Sequence, residues 1–354
     1  MLRFGTIGTG WIANSYVDGA LDSGLWQLTA VYSRTKEKGL AFAAPYGVKT
    51  IFTDLEEMAA TDKIDAVYIA SPNKLHIEQA RVFLEHGKHV ICEKPLSAHA
   101  KDVAELQALA KECGLIYLEA IMFMHLPQRK LLEEALKKIG DISVAKIDFC
   151  QRSSKYDAYL AGSLPNIFNP ALETGALMDL GVYCVYPALY LFGNPQNTLA
   201  VSHLLASGAD GSDIVAMQYP DKLVNLVFSK VGQAGANTDF QGTNGTVSVE
   251  SISKLANISI RYNNGTVEEV CGEEEKFKAD GATKRRIFYR YITEPEASRA
   301  EYERCSALAH DVSVYMEEIR KLAKHPLPLR QLKHKTKRHR MMKSFPVRCR
   351  FLME

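Results

Sequence analysis

Six residues near the N-terminus, Gly8-Thr9-Gly10-Trp11-Ile12-Ala13, have the spacing G-x-G-x-x-A. They follow the strand-like run Leu2–Ile7 and open a helix-period segment at about Trp11. In that setting Gly8 permits a tight turn, Gly10 lets the backbone approach a pyrophosphate, and Ala13 lets the helix pack closely on its strand. The helix N-terminus then faces the phosphates. Dinucleotide binding is the chemistry this spacing supports, with Gly8, Thr9, Gly10, Trp11 and Ile12 as the expected contacts. Where a NAD(H) site would place an acid on the ribose hydroxyls, the chain reads Val31-Tyr32-Ser33-Arg34-Thr35-Lys36, with no acid before Glu37. Arg34 offers a planar guanidinium, and Ser33 and Thr35 offer hydroxyl donors, for a 2′-phosphate. NADP(H) is favoured and NAD(H) stays open. The same residues also suit a helix N-cap followed by solvated cations.

Two further groups could do chemistry. Lys94 stands just past the run His89–Cys92, flanked by Glu93 and Pro95. The carboxyl ends of parallel strands are where open α/β sheets bind ligands. Asp179 and Tyr183 are four residues apart and would share one helix face. Taken singly, Lys94 is equally a solvated lysine and Tyr183 a core aromatic in the apolar run from Val182 to Leu191.

The elements that must position these groups fall into two grammars. Over the first 120 residues, short apolar runs (2–7, 26–32, 64–70, 89–92, 115–118, with a short extra run at 50–52) alternate with helix-period segments. Gly87 and Gly114 follow two of those helices, where a C-terminal cap is wanted. Such alternation requires parallel pairing through crossover helices, hence a doubly wound α/β sheet. After about residue 123 the pattern becomes β-rich. A helix over about 127–139 leads into a period-two strand over 142–149, and further runs follow around 197–205, 213–219 and 223–232. Asn244-Gly245 and Asn263-Asn264-Gly265 are hairpin signals whose turn residues want positive φ. The expected second domain is an open, largely antiparallel sheet with helices on one face and the other left for an interface. A closing helix is expected over 312–323. The domains read as 1–122 (dinucleotide binding), 123–332 (substrate and oligomer contacts) and a basic tail, 333–354.

Composition narrows the classes. With 47% apolar and 24% charged residues the chain is globular, not disordered or fibrous. It has no apolar run long enough to span a bilayer, and no secretory leader is expected. Seven scattered cysteines without metal-type spacing point to reduced thiols, no metal site and the cytoplasm. Thirty-five of 43 basic and 40 of 41 acidic residues precede residue 333, so the body carries about −5 and the tail is basic. Without aromatic interleaving, that tail reads as a solvated extension, and no nucleic-acid or membrane partner is expected.

With Ala70-Ser71-Pro72-Asn73 and His76, Glu93-Lys94-Pro95, and Gly175-Ala176-Leu177-Met178-Asp179-Leu180-Gly181-Val182-Tyr183 following the glycine turn in that order, the chain resembles the Gfo/Idh/MocA oxidoreductases over roughly residues 2–270. The resemblance implies a Rossmann domain plus an α/β domain whose open sheet forms a homodimer or homotetramer. It also implies a cis peptide before Pro95, and Ala70, Asn73, His76, Glu93 and Lys94 along the cofactor. As unaided observations, Asn73 is a helix N-cap and His76 a helix-surface histidine. Tyr183 stands where many members carry His, as in the branch of glucose–fructose oxidoreductase, dimeric dihydrodiol dehydrogenase and xylose dehydrogenase. A phenol with a pKa of about 10 needs a nearby cation to act as a base. The resemblance makes Lys94 that cation, Tyr183 the proton carrier and Asp179 the group that orients a hydroxyl or the lysine. The implied reaction moves hydride between a nicotinamide and a secondary alcohol or hemiacetal carbon of a sugar, polyol or dihydrodiol. The alternative is a non-catalytic NAD(P)-binding sugar-pathway sensor of the same fold. Two departures stand out. Met124 occupies the place of a family arginine, with His125 beside it either substituting or packing, and the tail has no family counterpart. Arg152-Ser153-Ser154-Lys155-Tyr156 could add polar contacts.

Overall fold

The computed structural model describes residues 1–272 and 277–325, with side chains described outside 277–284. The basic tail and its expected role lie outside the described residues. The chain divides into two compact units, Met1–Ala120 with Lys278–Ala307, and 121–272 with 308–325.

In the first unit, strands β1 (Leu2–Ile7), β2 (Trp26–Tyr32), β3 (Ile51–Phe52), β4 (Ala66–Ile69), β5 (His89–Cys92) and β6 (Tyr117–Glu119) alternate with helices α1 (Trp11–Asp22), α2 (Lys36–Ala43), α3 (Leu55–Ala60), α4 (His76–Glu85) and α5 (Ala100–Glu112). The strands form one parallel sheet in the order β3-β2-β1-β4-β5-β6. The order in which successive strands are added reverses between β1 and β4, which makes their carboxyl ends the ligand-binding crevice of a doubly wound sheet. Helices on both faces explain why β4 is buried at every residue rather than alternating. Asp54 caps α3 by accepting the Glu57 N–H at 2.9 Å.

The second unit opens with α6 (Gln128–Lys138), β7 (Ile142–Cys150) and α7 (Tyr156–Leu160). A π-helical turn, Leu177–Gly181, runs directly into α8 (Val182–Phe192). Strands β8 (Asn197–Leu204), β9 (Asp210–Gln218), β10 (Leu223–Ser229), β11 (Thr238–Gly242), β12 (Gly245–Ser251), β13 (Ala256–Tyr262) and β14 (Val267–Cys271) complete an eight-stranded sheet with β7. Its order is β14-β13-β12-β11-β7-β10-β9-β8, antiparallel except where β7 and β10 pair in parallel. The buried face, including Ile147, Val215, Leu226, Phe228, Phe240 and Ile260, packs under α8, the π turn and α6. The opposite face carries exposed Leu199, Val201, Ile214 and Leu223.

Both hairpin signals fall on hairpins, for different reasons. Gly265 is left-handed, with φ +88°. Gly245 is not. A Cβ there would meet the Arg261 carbonyl oxygen of β13 at 2.6 Å, so close strand approach, not positive φ, selects glycine.

The last helices correct the sequence reading. α9 (Phe277–Thr293) and α10 (Pro295–Leu322) follow β14, and 278–307 group with the first unit although the sequence assigned them to the second domain. The Trp26 indole N–H donates to the Arg285 carbonyl oxygen at 3.0 Å, and Trp26 stacks on Phe288 at 5.3 Å. Gln107 donates to the Ser306 carbonyl oxygen at 2.7 Å. These partners are separated by 199 or more residues, beyond the reach of any local pattern. The expected closing helix is thus the end of a 28-residue one.

Candidate active site

In the first unit, the candidate residues lie on the crevice side of the parallel sheet. Gly8 has φ +111°, and a Cβ on it would meet the Ala70 carbonyl oxygen at 2.6 Å, so β1 and β4 close on each other only around glycine. A Cβ on Gly10 would meet nothing within 4 Å. Gly10 is the N-cap of α1, which has no side-chain cap and no acid in its first turn. Open space in front of uncapped helical N–H groups is what a pyrophosphate requires. Thr9 and Ile12 are half-buried beside it, and Trp11 is exposed. Past the carboxyl end of β2, Ser33 is buried while Arg34 and Thr35 are exposed. Thr35 is the N-cap of α2 but makes no side-chain cap bond, leaving its hydroxyl unused for that purpose. These residues fit a dinucleotide carrying a 2′-phosphate.

The loop after β5 is built from the second layer outward. The Lys94–Pro95 peptide is cis. Lys94 is half-buried and Glu93 accepts a 2.6 Å hydrogen bond from the Tyr68 hydroxyl. Tyr68 stacks on Tyr16 of α1 with centroids 3.7 Å apart, and Arg285 lies over the Tyr16 ring at 4.7 Å. Burial and the Glu93 charge raise the Tyr68 phenol well above its usual value, so it donates to Glu93 as a neutral hydroxyl. Buried Glu119 accepts the Leu96 N–H at 3.2 Å, fixing the far side of the turn.

Asn73 lies in the short turn Asn73–Leu75 and is half-buried. His76 differs from expectation. It is 1% exposed, not on the helix surface, with Nδ1 2.9 Å from the Pro95 carbonyl oxygen and Nε2 2.8 Å from that of Ser71. Burial lowers its pKa. Carbonyl oxygens only accept, so a neutral ring donates to one of them at a time. Its nitrogens are spent on tying the turn after β4 to the Lys94–Pro95 turn, not on a ligand.

In the second unit, the candidate residues lie on the helical segment over its sheet. Asp179 sits in the π turn and Tyr183 in the first turn of α8. Single π turns inside helices recur at functional positions. Tyr183 is half-buried and meets Phe149 of β7 edge-on at 5.5 Å, whereas Val182 and every residue from Cys184 to Leu189 are buried. The Asp179 carboxylate is paired with a residue the sequence reading missed: Lys230 Nζ donates to Asp179 Oδ2 at 2.6 Å. Lys230 is itself buried just beyond β10. Nothing local marks it, since 51 residues separate the two.

The remaining sequence candidates are placed as follows. Met124 and His125 are both buried in the turn Phe123–His125. Arg152 is bound at 2.6 Å to Asp157 and lies over the Tyr156 ring at 5.2 Å, so its charge is satisfied locally.

A glycine turn at the switch point of a six-stranded parallel sheet, followed by a second unit on an open mixed sheet, is the architecture of dinucleotide-dependent oxidoreductases of two units. Residues 2–120 match the model of the oxidoreductase family with an NAD-binding Rossmann fold, and residues 129–248 match the GFO/IDH/MocA C-terminal domain. The chain belongs to the Gfo/Idh/MocA family. It is 43% identical over 276 residues to scyllo-inositol 2-dehydrogenase (NADP(+)) IolU of Bacillus subtilis, covering 78% of this chain and 84% of that one. It is 30% identical over 260 residues to trans-1,2-dihydrobenzene-1,2-diol dehydrogenase of Mus musculus, covering 72% and 75%. Among solved structures, KijD10, a 3-ketoreductase from Actinomadura kijaniata in complex with NADP and TDP-benzene, shares the fold with a TM-score of 0.80 at 23% identity, over 90% of this chain and 97% of that one. Among the described residues no helix is long and apolar enough to cross a membrane.

Proposed function

We propose that this protein is an NADP(H)-dependent oxidoreductase acting on a secondary alcohol or hemiacetal carbon of a sugar, polyol or dihydrodiol. When bound, the nicotinamide supplies or takes the hydride. The chain's own residues do the rest. The backbone from Gly8 to Ile12 and the N-terminus of α1 hold the pyrophosphate, while Ser33, Arg34 and Thr35 hold the 2′-phosphate. Ala70 and Asn73 line the same crevice. Tyr183 gives or takes the proton of the substrate oxygen, and the Lys94 ammonium favours the phenolate and holds that oxygen. Asp179, charge-paired with Lys230, accepts from a neighbouring substrate hydroxyl and so orients it. Glu93 and His76 keep the Lys94 turn in place.

The observation that carries this reading is the half-exposed Tyr183 in a helix otherwise buried from Val182 to Leu189, one turn after the paired Asp179. The experiment mixes the full chain with NADP⁺ or NADPH and a panel of inositols, aldoses and vicinal diols or their ketones, following absorbance of the reduced nicotinamide. Turnover is expected with at least one. Tyr183→Phe should bind the dinucleotide normally and lose on the order of 100-fold or more in kcat, the usual contribution of a positioned proton carrier. Dinucleotide binding without turnover on any member of the panel would favour the sensor reading; near-wild-type kcat in Tyr183→Phe would remove its role.

The same reading includes a homodimer or homotetramer formed through the open face of the second sheet, where Val201 and Ile214 are cross-strand partners at 65% and 51% exposure. Exposed apolar side chains clustered on one sheet face are typical of an interface. Six described cysteines present as thiols support a reducing compartment, the cytoplasm.

A further inference from the structure

Behind the segment that carries Asp179, three metal-ligating side chains converge from distant parts of the second unit. Asp210 and Asp213 stand on β9, and His325 follows the end of α10. One ligand atom from each lies within 4.8 Å of the other two. His325 Nε2 is 2.9 Å from Asp213 Oδ1 and its Nδ1 is 3.9 Å from Asp210 Oδ1. Ser202, opposite Asp213 on β8, adds its Oγ, which contacts both Asp213 Oδ1 and His325 Nε2. Asp210 Oδ2 accepts the Leu177 N–H at 2.6 Å, at the start of the π turn.

The chemistry of this cluster suits a bound cation. Asp213 is 2% exposed, and its second oxygen, Oδ2, is buried with no hydrogen-bond partner. Asp210 is likewise buried, and two carboxylates this close repel each other unless a cation lies between them or one of them is protonated. A single imidazolium balances only one of them. Ligands held about 2.0 to 2.2 Å from one ion stand roughly 3 to 4 Å apart, and the His325–Asp213 and His325–Asp210 separations of 2.9 and 3.9 Å match that spacing, with Ser202 Oγ closer in. Two carboxylates, an imidazole and a hydroxyl form an oxygen–nitrogen set suited to a first-row transition cation rather than to magnesium or calcium.

We propose that Asp210, Asp213 and His325, with Ser202, form a buried site for a divalent first-row cation of the zinc or manganese class, which ties the end of α10 to strands β8 and β9. The site is structural, with all its protein ligands in place before substrate arrives. Through the Asp210–Leu177 hydrogen bond it also braces the turn that carries Asp179. The inference is independent of which substrate the protein turns over.

The test uses the full chain, purified without a metal-affinity tag. Elemental analysis should find close to one equivalent of a transition metal. After EDTA treatment and dialysis, ZnCl₂ or MnCl₂ should bind with unit stoichiometry and raise the melting temperature by ~5 °C or more, the mass-action effect of a ligand that binds only the folded state. His325→Ala, at the end of the helix, and Asp213→Asn should each weaken binding by ~100-fold and abolish the shift. The proposal is overturned if the chelated protein takes up neither ion at micromolar concentration and melts as before, which would mean that a shared proton holds the carboxylates. It is equally overturned if both variants keep the full equivalent of metal, since the ion would then bind elsewhere.

Discussion

Lys230 Nζ lies 2.6 Å from Asp179 Oδ2, and both belong to the second unit. This pair supplies Asp179 with a fixed counter-charge that no part of its own helix provides. A hydrogen bond to a charged group is worth about 1.5–3 kcal/mol. Lys230→Met should therefore lower kcat/KM about 10- to 150-fold, while the dinucleotide dissociation constant, set in the first unit, stays unchanged. Lys230→Arg should recover part of the loss. Equal loss in both variants, or a parallel loss of dinucleotide affinity, would show a general packing role instead.

The glycine turn makes a paired prediction. Gly8→Ala brings a Cβ to 2.6 Å from the Ala70 carbonyl oxygen at positive φ, so it should lower both stability and dinucleotide binding. Gly10→Ala meets no atom of the protein. It should melt within about 1–2 °C of wild type, since unstrained Gly→Ala changes are small, yet lose dinucleotide affinity. Titrating the dinucleotide into both, with melting curves alongside, separates the effects.

Cofactor choice should rest on the end of β2. Arg34→Ala removes the exposed guanidinium without disturbing buried Ser33. The ratio of kcat/KM for NADP⁺ to that for NAD⁺ should fall at least about 10-fold, the worth of one charge-assisted contact. An unchanged ratio would remove Arg34 from the 2′-phosphate site.

On the open sheet face, Val201→Lys with Ile214→Lys places two cations on directly opposed residues. Sedimentation velocity should then report a monomer where the wild type sediments as a dimer or tetramer. A monomeric wild type would dispose of the interface.

His89 makes stability pH-dependent. Its Nδ1 accepts the Ile116 N–H at 3.0 Å, and burial lowers its pKa to about 4. The unfolded chain protonates near 6.5, so between these values it binds more protons than the fold does. The contribution is complete above about pH 6.5 and is lost as the pH falls towards 4, by about 3 kcal/mol in all. Urea unfolding of wild type against His89→Asn, whose amide oxygen replaces Nδ1 as acceptor, should show the variant losing less over that range.

Much of the first unit was legible because its signals are local. A glycine turn between a strand and a helix, and apolar runs alternating with helical periods, are read within a window of 10 to 20 residues. The hairpins of the second sheet were legible for the same reason, although at Gly245 the right element was read from the wrong cause. The cis peptide before Pro95 came from family resemblance. His76 was misread because burial is a property of what packs over a residue, and its two carbonyl partners belong to loops that only the sheet brings together.

By itself, then, the sequence determined the parallel sheet and the glycine turn, and it singled out Ser33, Arg34, Asp179 and Tyr183 as candidates. Tertiary structure alone decided that Lys230 partners Asp179, that Tyr68 and Glu119 brace the Lys94 loop, that residues 278–307 return to the first unit, and that His325 meets Asp213 from 112 positions away. Each of those depends on strand register and helix packing, which join residues with no shared period or spacing along the chain.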